Sequence, residues 1–335
     1  MTLRFIDSFS HYTIPDQLNQ KYSAYYGGVP MTGRRTGSTA LRTYSSSDYI
    51  SLTLDDQSTW IVGFAFYMFS STSNNCKILQ LLDSSGTVQL TINIASGIIK
   101  LYRGDLSTLL ATATPVIPAS VWNYIETKMT IADSNGLFEL RVNEQVVISY
   151  TGDTKYSSTL ATARTIKLAA SGYVYIGFQD LYICDGTGSA NNDYLGDVRI
   201  DALLPVGAGA STQFTPTGNS TNWSNVSDAT NDGDTTYNFG DTAGLIDTFD
   251  CTNLSSTNST IYGVQLNLSA RKDDAGSRTL RGITRINSTN HESADMPLST
   301  SYVDCRQIME LNPSTSAAWT EATINAAEFG YKVQA

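Results

Sequence analysis

KILQLLDSSGTVQLTINIASGIIKLYRG, residues 77–104, decides the fold class. Three apolar runs are parted by two turn signals, Asp83-Ser84-Ser85-Gly86 and Ala95-Ser96-Gly97. Between the turns Val88, Leu90, Ile92 and Ile94 recur at period two, which puts them on one side of an extended chain. A helix would spread the same four residues around its axis. Two consecutive β-hairpins are therefore expected here.

The pattern continues outward. WIVGFAFYMF (60–69) is apolar at every position and reads as a strand buried on both sides, or as a central strand beside an oligomer contact. Trp60, Phe64, Phe66 and Phe69 are the interface candidates it offers. Pro115 and Pro118 bracket a link, and VWNYIETKMTI (121–131) follows as a strand. LFELRVNEQVVISY (137–150) is a hairpin that turns at Asn143-Glu144, with Phe138, Leu140 and Val142 inward and Glu139 outward. In YVYIGFQDLYICDGTG (173–188), Tyr173, Tyr175 and Gly177 face one way and Val174, Ile176 and Phe178 the other. This is the closing strand of a sandwich, and Asp180 within it is expected to fix a turn rather than to perform catalysis.

Composition agrees. The chain of 335 residues is 16% charged and takes its polarity from Ser, Thr, Asn and Gly, residues of strands and turns. A formal charge of -10, with Lys and Arg totalling 21, argues against a nucleic-acid partner. No apolar run reaches the length of a membrane helix, and MTLRFIDSFSHY (1–12) lacks the pattern of a secretory signal.

A second β core begins after a segment, 205–244, that is poor in apolar residues but punctuated by Phe214, Trp223, Val226, Tyr237 and Phe239. Long ordered loops are expected there. In STIYGVQLNLSARKD, Tyr262, Val264, Leu266, Leu268 and Ala270 line one side of a half-solvated strand. RTLRGITRIN, TSYVDCRQIME and Phe329–Val333 supply further strands, and a short helical turn at Glu321–Asn325 is capped by Thr320. The expected architecture is all-β: a sandwich domain over 1–200, then a smaller β-sandwich over 201–335.

Chemistry-bearing constellations are sparse. The histidines, His11 and His291, lack the neighbours of a nucleophilic triad, and neither GxSxG nor HExxH occurs. Glu126, Glu139 and Glu144 are scattered rather than aligned on one cleft, so no catalytic residue is assigned. Asp228, Asp232 and Asp234 in and beside TNDGDTT (230–236) form an oxygen-rich turn that admits calcium, without the order of an EF-hand. Asp180, Asp185, Asn191, Asn192 and Asp193 form a second such zone. Tyr12, Tyr22, Tyr25 and Tyr26 crowd the N-terminus as a core, an interface or a sugar-stacking platform. Cys76, Cys184, Cys251 and Cys305 show no metal or knottin spacing and read as free thiols.

LFELRVNEQVVISY followed by YVYIGFQDLYICDG, with WIVGFAFYMF as an early inner strand, resembles the laminin-G/concanavalin-A-like jelly roll over residues 1–190. YICDGTGSANNDYLGDVRIDALLPVGAGASTQFTP, NWSNV, IYGVQLNLSARKDDAGSRTL and AAWTEATINAAEFGYKV resemble bacteriophage and prophage structural proteins. That resemblance implies a non-enzymatic virion protein, assembled in the host cytoplasm. It is expected to be a homotrimer in contact with other virion proteins and with host surface glycans. A tail fibre or tail-associated component leads, with head decoration or head fibre and a glycan depolymerase as rivals.

Overall fold

The computed structural model describes residues 2–13, 18–19, 21–43, 45–70, 75–157, 159–171, 175–229, 231–254 and 259–334. Tyr173 and Val174 of the closing strand, Thr230 of the acidic turn and the whole of 255–258 lie outside these residues. The chain divides into two compact units, Met1–Ile200 and Asp201–Ala335.

The first unit is a sandwich of two antiparallel sheets. One runs in the order Gln145–Gly152, Gly136–Val142, Trp122–Thr130, Thr59–Met68, Ile176–Asp185, Thr39–Thr43, Val29–Thr32, with Leu3–Asp7 also paired to Ile176–Asp185. The other runs Thr108–Val116, Ile98–Arg103, Val88–Ala95, Cys76–Leu82, Ala163–Ser171, Tyr49–Gln57, Ala24–Tyr26. Leu90, Ile92 and Ile94 from the second sheet meet Val62, Phe64, Phe66, Phe138 and Leu140 from the first in one core. The period-two register of 88–94 thus buries one side of the strand and turns Gln89, Thr91 and Asn93 to the other. The hairpin at Asn143-Glu144 has positive φ at both central residues, the twist that a two-residue connection between right-twisted strands requires.

Two segments depart from expectation. Pro115 does not sit in a link: Thr108–Val116 is a strand at the sheet's edge, where a residue without an N–H breaks no ladder on its outward side. The strand Tyr49–Gln57, too, precedes the point at which the apolar pattern becomes strong.

In the second unit a six-stranded sheet runs Pro205–Thr212, Ile246–Cys251, Glu328–Val333, Thr279–Ile286, Thr289–Glu292, with Met296–Pro297 paired to Thr279–Ile286. Its facing layer includes the two-stranded ribbon Val264–Ala270 and Val303–Met309 and the helix Glu321–Asn325, packed through Met309, Trp319, Ile324 and Phe329. Thr320 caps that helix by accepting from the Thr323 N–H. Pro205–Thr212, expected as loop, is a full strand; its Gly, Ala, Ser and Thr side chains carry too little apolar contrast to show a period. Asp247, fully buried, holds the following loops by accepting from the N–H groups of Gln213 (2.6 Å) and Phe214 (3.1 Å) and from Asn222 Nδ2 (2.6 Å). All four cysteines are free. Among the described residues no helix is long and apolar enough to cross a membrane.

Candidate functional site

The sandwich has two outer sides, and they differ. On the eight-stranded sheet the strand Thr59–Met68 turns Ile61, Gly63, Ala65 and Tyr67 outward. Gly63 is required: a Cβ there would collide with the Tyr182 ring lying over it. Tyr182 donates to Glu126 Oε1 (2.6 Å), which also accepts from the Gly196 N–H (2.8 Å). Asp180, fully buried, accepts from Arg34 Nε (2.7 Å), Arg35 Nη2 (2.8 Å) and the Ile200 N–H (3.0 Å). Its own carbonyl accepts from the Tyr124 hydroxyl (3.0 Å). Burial, with the charges of Asp180 and Glu126 beside it, holds the Tyr124 phenol far above its usual range, so it remains a donor. The segment 194–200 is thereby sealed over this side, helped by Arg141 stacked 3.9 Å from the Tyr194 ring centre. Every acid in the zone is engaged in holding chain to chain.

Several residues singled out from sequence belong to the interior. Trp60, Phe64 and Phe66 are wholly buried in the core, with Trp60 Nε1 donating to the Ala163 carbonyl (2.9 Å), so they are not interface residues. An all-apolar strand needed a cover, and this chain supplies it from its own other sheet and the 182–196 segment. Phe69 is the exception. It is half-buried and meets Tyr67 (4.8 Å) and the exposed Tyr175 (6.1 Å) edge-on.

Tyr12 and Tyr22 are core residues as well. Both donate to Asp7 Oδ2, at 2.7 Å and 3.0 Å, on a carboxylate that also accepts from the Phe9 N–H. Beside it, burial drops His11 to about 4, against the pull of Asp7 and with help from Lys21. His11 is thus neutral near pH 7, and its Nε2 accepts from Lys21 Nζ at 2.8 Å. Tyr25 packs partly against the core, and only Tyr26, 58% exposed, stands free of it.

The acidic turn does not assemble into a cage. Asp234 is drawn away to Arg271 (3.0 Å) and the Tyr302 hydroxyl (2.8 Å), while Asp228 and Asp232 share the Thr236 hydroxyl. Among the described residues no group of three His, Cys, Asp or Glu side chains is placed to hold a metal ion.

Tyr26 leads to the site. It pairs with Tyr49 across the edge of the seven-stranded sheet, and both point away from the core. One cross-strand row then spans all seven strands on this side: Ala24, Ser51, Lys167, Gln80, Thr91, Tyr102, Leu109. A second, shorter row runs Lys77, Asn93, Lys100, Thr112. Exposure is graded across them. Thr91 and Asn93 on the middle strand are fully buried, Lys77, Lys100, Tyr102, Lys167 and Tyr49 are half-buried, and Tyr26 and Leu109 at the rims are 58% and 50% exposed. The side thus carries a polar band, the trough, that is buried along its middle strand and opens toward Tyr26 at one rim and Leu109 at the other.

Hydrogen bonds fix the floor. Gln80 Nε2 donates to Thr91 Oγ1 (3.2 Å) and Asp105 Oδ1 (3.0 Å), and Thr91 donates to the Gly104 carbonyl (2.8 Å). Lys77 is ion-paired with Asp105 at 2.5 Å, and the Lys167 ammonium lies 4.1 Å from the Tyr49 ring centre. Burial and the neighbouring Lys77 push the Lys167 ammonium below its usual range. Rigid donors and acceptors below, with flat rings at the flanks, suit a ligand rich in hydroxyls and edged with C–H groups. Sequence reading reached Tyr26 alone of these residues. The alternation of 88–94 carried the rest of the signal, since every residue between the apolar ones is Gln, Thr or Asn.

No family model matches the chain, and no curated protein matches it. Among solved structures, a cellulose-induced protein, Cip1, aligns over 54% of this chain and 96% of its own at 14% identity and a TM-score of 0.41. A sialidase aligns over 54% of this chain and only 18% of its own length, at 12% identity and a TM-score of 0.40. A carbohydrate-binding module, CBM66 from Bacillus subtilis, aligns over 50% and 98% at 10% identity and a TM-score of 0.34. Likenesses of this size carry no argument about ligand or activity, and the site rests on its own geometry.

Proposed function

We propose that the first unit is a non-enzymatic glycan-binding module, and that the trough on its seven-stranded sheet receives the sugar. The observation that carries this reading is the row of outward side chains across seven paired strands, polar or aromatic on all five inner ones, with its floor locked by hydrogen bonds. A sugar offers hydroxyls that bond to the half-buried Lys100, Lys167 and Tyr102, and C–H faces that pack on tyrosine rings. Among the described residues of these two rows no side chain is a carboxylate, and the neighbouring Asp105 is ion-paired with Lys77, which does not favour paired-carboxylate hydrolysis here.

The setting we propose is a bacteriophage particle, in a tail fibre or tail-associated component, on the sequence resemblance of residues 173–335. A homotrimeric contact is assigned to the aromatic patch of Phe69, Tyr67, Trp122 and Tyr175 on the opposite side of the sandwich.

A glycan array probed with the intact chain tests the reading. Saturable binding that drops about tenfold in Tyr26→Ala or Tyr102→Ala, with thermal stability retained, is the expected result. Binding unaffected by both substitutions removes the trough as the site. New reducing ends released from a bound glycan overturn the non-enzymatic assignment.

A further inference from the structure

The trough carries more positive charge than its surroundings demand. Lys77, Lys100 and Lys167 project on the same side of the sheet, in a chain whose formal charge is -10. Asp105 pairs with Lys77, accepts from Gln80 and draws on Lys167 from farther off. Among the described residues neither Lys100 nor Lys167 is in an ion pair of its own. Lys167 is instead held between the Tyr49 ring and the repulsion of Lys77, and half of it is withdrawn from water. Like charges brought together on a partly desolvated surface are unfavourable unless something neutralises them. A bound anion does so and is attracted for the same reason.

A second observation points the same way. Asn93 is fully buried, on the middle strand, between Lys77 and Lys100 in register. Its Nδ2 makes one long bond to Asn75 (3.4 Å), and its Oδ1, buried too, has no hydrogen-bond partner among the described residues. A buried amide oxygen without a partner is unfavourable. It lies on the lysines' side of the sheet, below the surface.

Spacing adds a size. Lys100 and Lys167 stand three strands apart and two residues apart along the strands, about 16 Å in all. A ligand that touches both must be an oligomer that crosses the strands obliquely.

We infer that the ligand of the trough is a carboxylated polysaccharide, a polyuronate, with Lys100 and Lys167 meeting carboxylates of one chain, and Tyr26, Tyr49 and Tyr102 packing against ring faces. This rests on the glycan-binding reading and narrows it. Uronate fits better than a densely sulfated glycan, because three lysines offset by one aspartate match a sparse line of single charges.

Titration calorimetry of the full chain with polygalacturonate, and with the same polymer after its carboxyls are reduced to alcohols, tests the inference. The expected result is binding of the acidic polymer only. It should be weakened about tenfold by Lys100→Gln and by Lys167→Gln at unchanged melting temperature, and weakened by added salt. Equal binding of both polymers, insensitive to the lysines yet lost in Tyr26→Ala, overturns the inference and leaves the glycan reading standing. Binding of single-stranded DNA or polyglutamate as tight as that of polygalacturonate overturns it too, because charge alone then suffices. Failure with both polymers and with every glycan on an array removes both readings.

Discussion

The two outer sides of the sandwich use charge in opposite ways. On the eight-stranded sheet Glu126 and Asp180 are buried, each accepts several hydrogen bonds, and each fastens the chain that leaves the closing strand. On the seven-stranded sheet Lys100 and Lys167 stand half-exposed, and among the described residues neither is in an ion pair of its own. Charge that is satisfied internally stabilises the fold; charge left unsatisfied at a surface is available to something else. The same sandwich therefore carries one side whose loss should unfold it and one side whose loss should only silence it.

The largest effect is expected from Asp180→Ala. Removing a buried carboxylate that accepts from two guanidiniums and a backbone N–H should destabilise the first unit by about 3–5 kcal/mol, read as a shift in the urea midpoint. A shift as small as that of a surface substitution would break the contrast at its strongest point.

Acid should act next, through His11. Its folded pKa of about 4 lies below the ordinary 6.5, so the unfolded chain binds the proton more readily between those values. Stability is then complete above about pH 6.5 and falls by about 3 kcal/mol as pH drops to 4. Asp7, held below the usual carboxylate range by Lys21 and His11 despite its burial, adds a further loss at lower pH still. His11→Gln should flatten the profile between pH 6.5 and 4, and an unchanged profile in that variant would assign the acid loss elsewhere.

Glu126→Gln is the third. The amide keeps the shape but weakens two charge-assisted bonds, so a loss of about 2 kcal/mol is expected, with faster amide exchange at Leu195 and Gly196. The smallest effect belongs to the open side. Lys167→Gln removes a like-charge contact and should leave stability within about 0.5 kcal/mol of the original. A large loss there would mean that the trough, too, is built for the fold.

Much of this architecture is legible in the sequence where apolar residues alternate. The hairpins of 77–104 and the turn at Asn143-Glu144 follow from period and turn chemistry alone. The strand Pro205–Thr212 is not legible, because small side chains give no contrast between its sides. The candidate site is less legible than the fold. Tyr12, Tyr22, Tyr25 and Tyr26 look alike in sequence, and only packing separates the two that donate to Asp7 from the one at the rim of the trough. Trp60, Phe64 and Phe66 suggested a partner because a strand apolar on both sides needs two covers. A linear reading does not show that the chain folds back to provide the second. Lys77 and Lys100 come from the one stretch of two hairpins, but Lys167 joins them only because the strand Ala163–Ser171 pairs with Cys76–Leu82.

The closing strand holds one more lesson. Gln179 pairs with Ala65 and Tyr182 with Gly63, so one extra residue is inserted at Asp180, whose φ is 49°. Before it Ile176 and Phe178 enter the core; after it Leu181 and Ile183 do. The insertion lets an odd spacing keep one side: Phe178 and Leu181 stand three residues apart, yet both enter the core. Deleting Asp180 would restore plain alternation, with Leu181 and Ile183 still inward and Tyr182 still over Gly63. What would be lost is the carboxylate that holds Arg34, Arg35 and the Ile200 N–H. The extra residue therefore serves the chain that it fastens rather than the sheet that contains it.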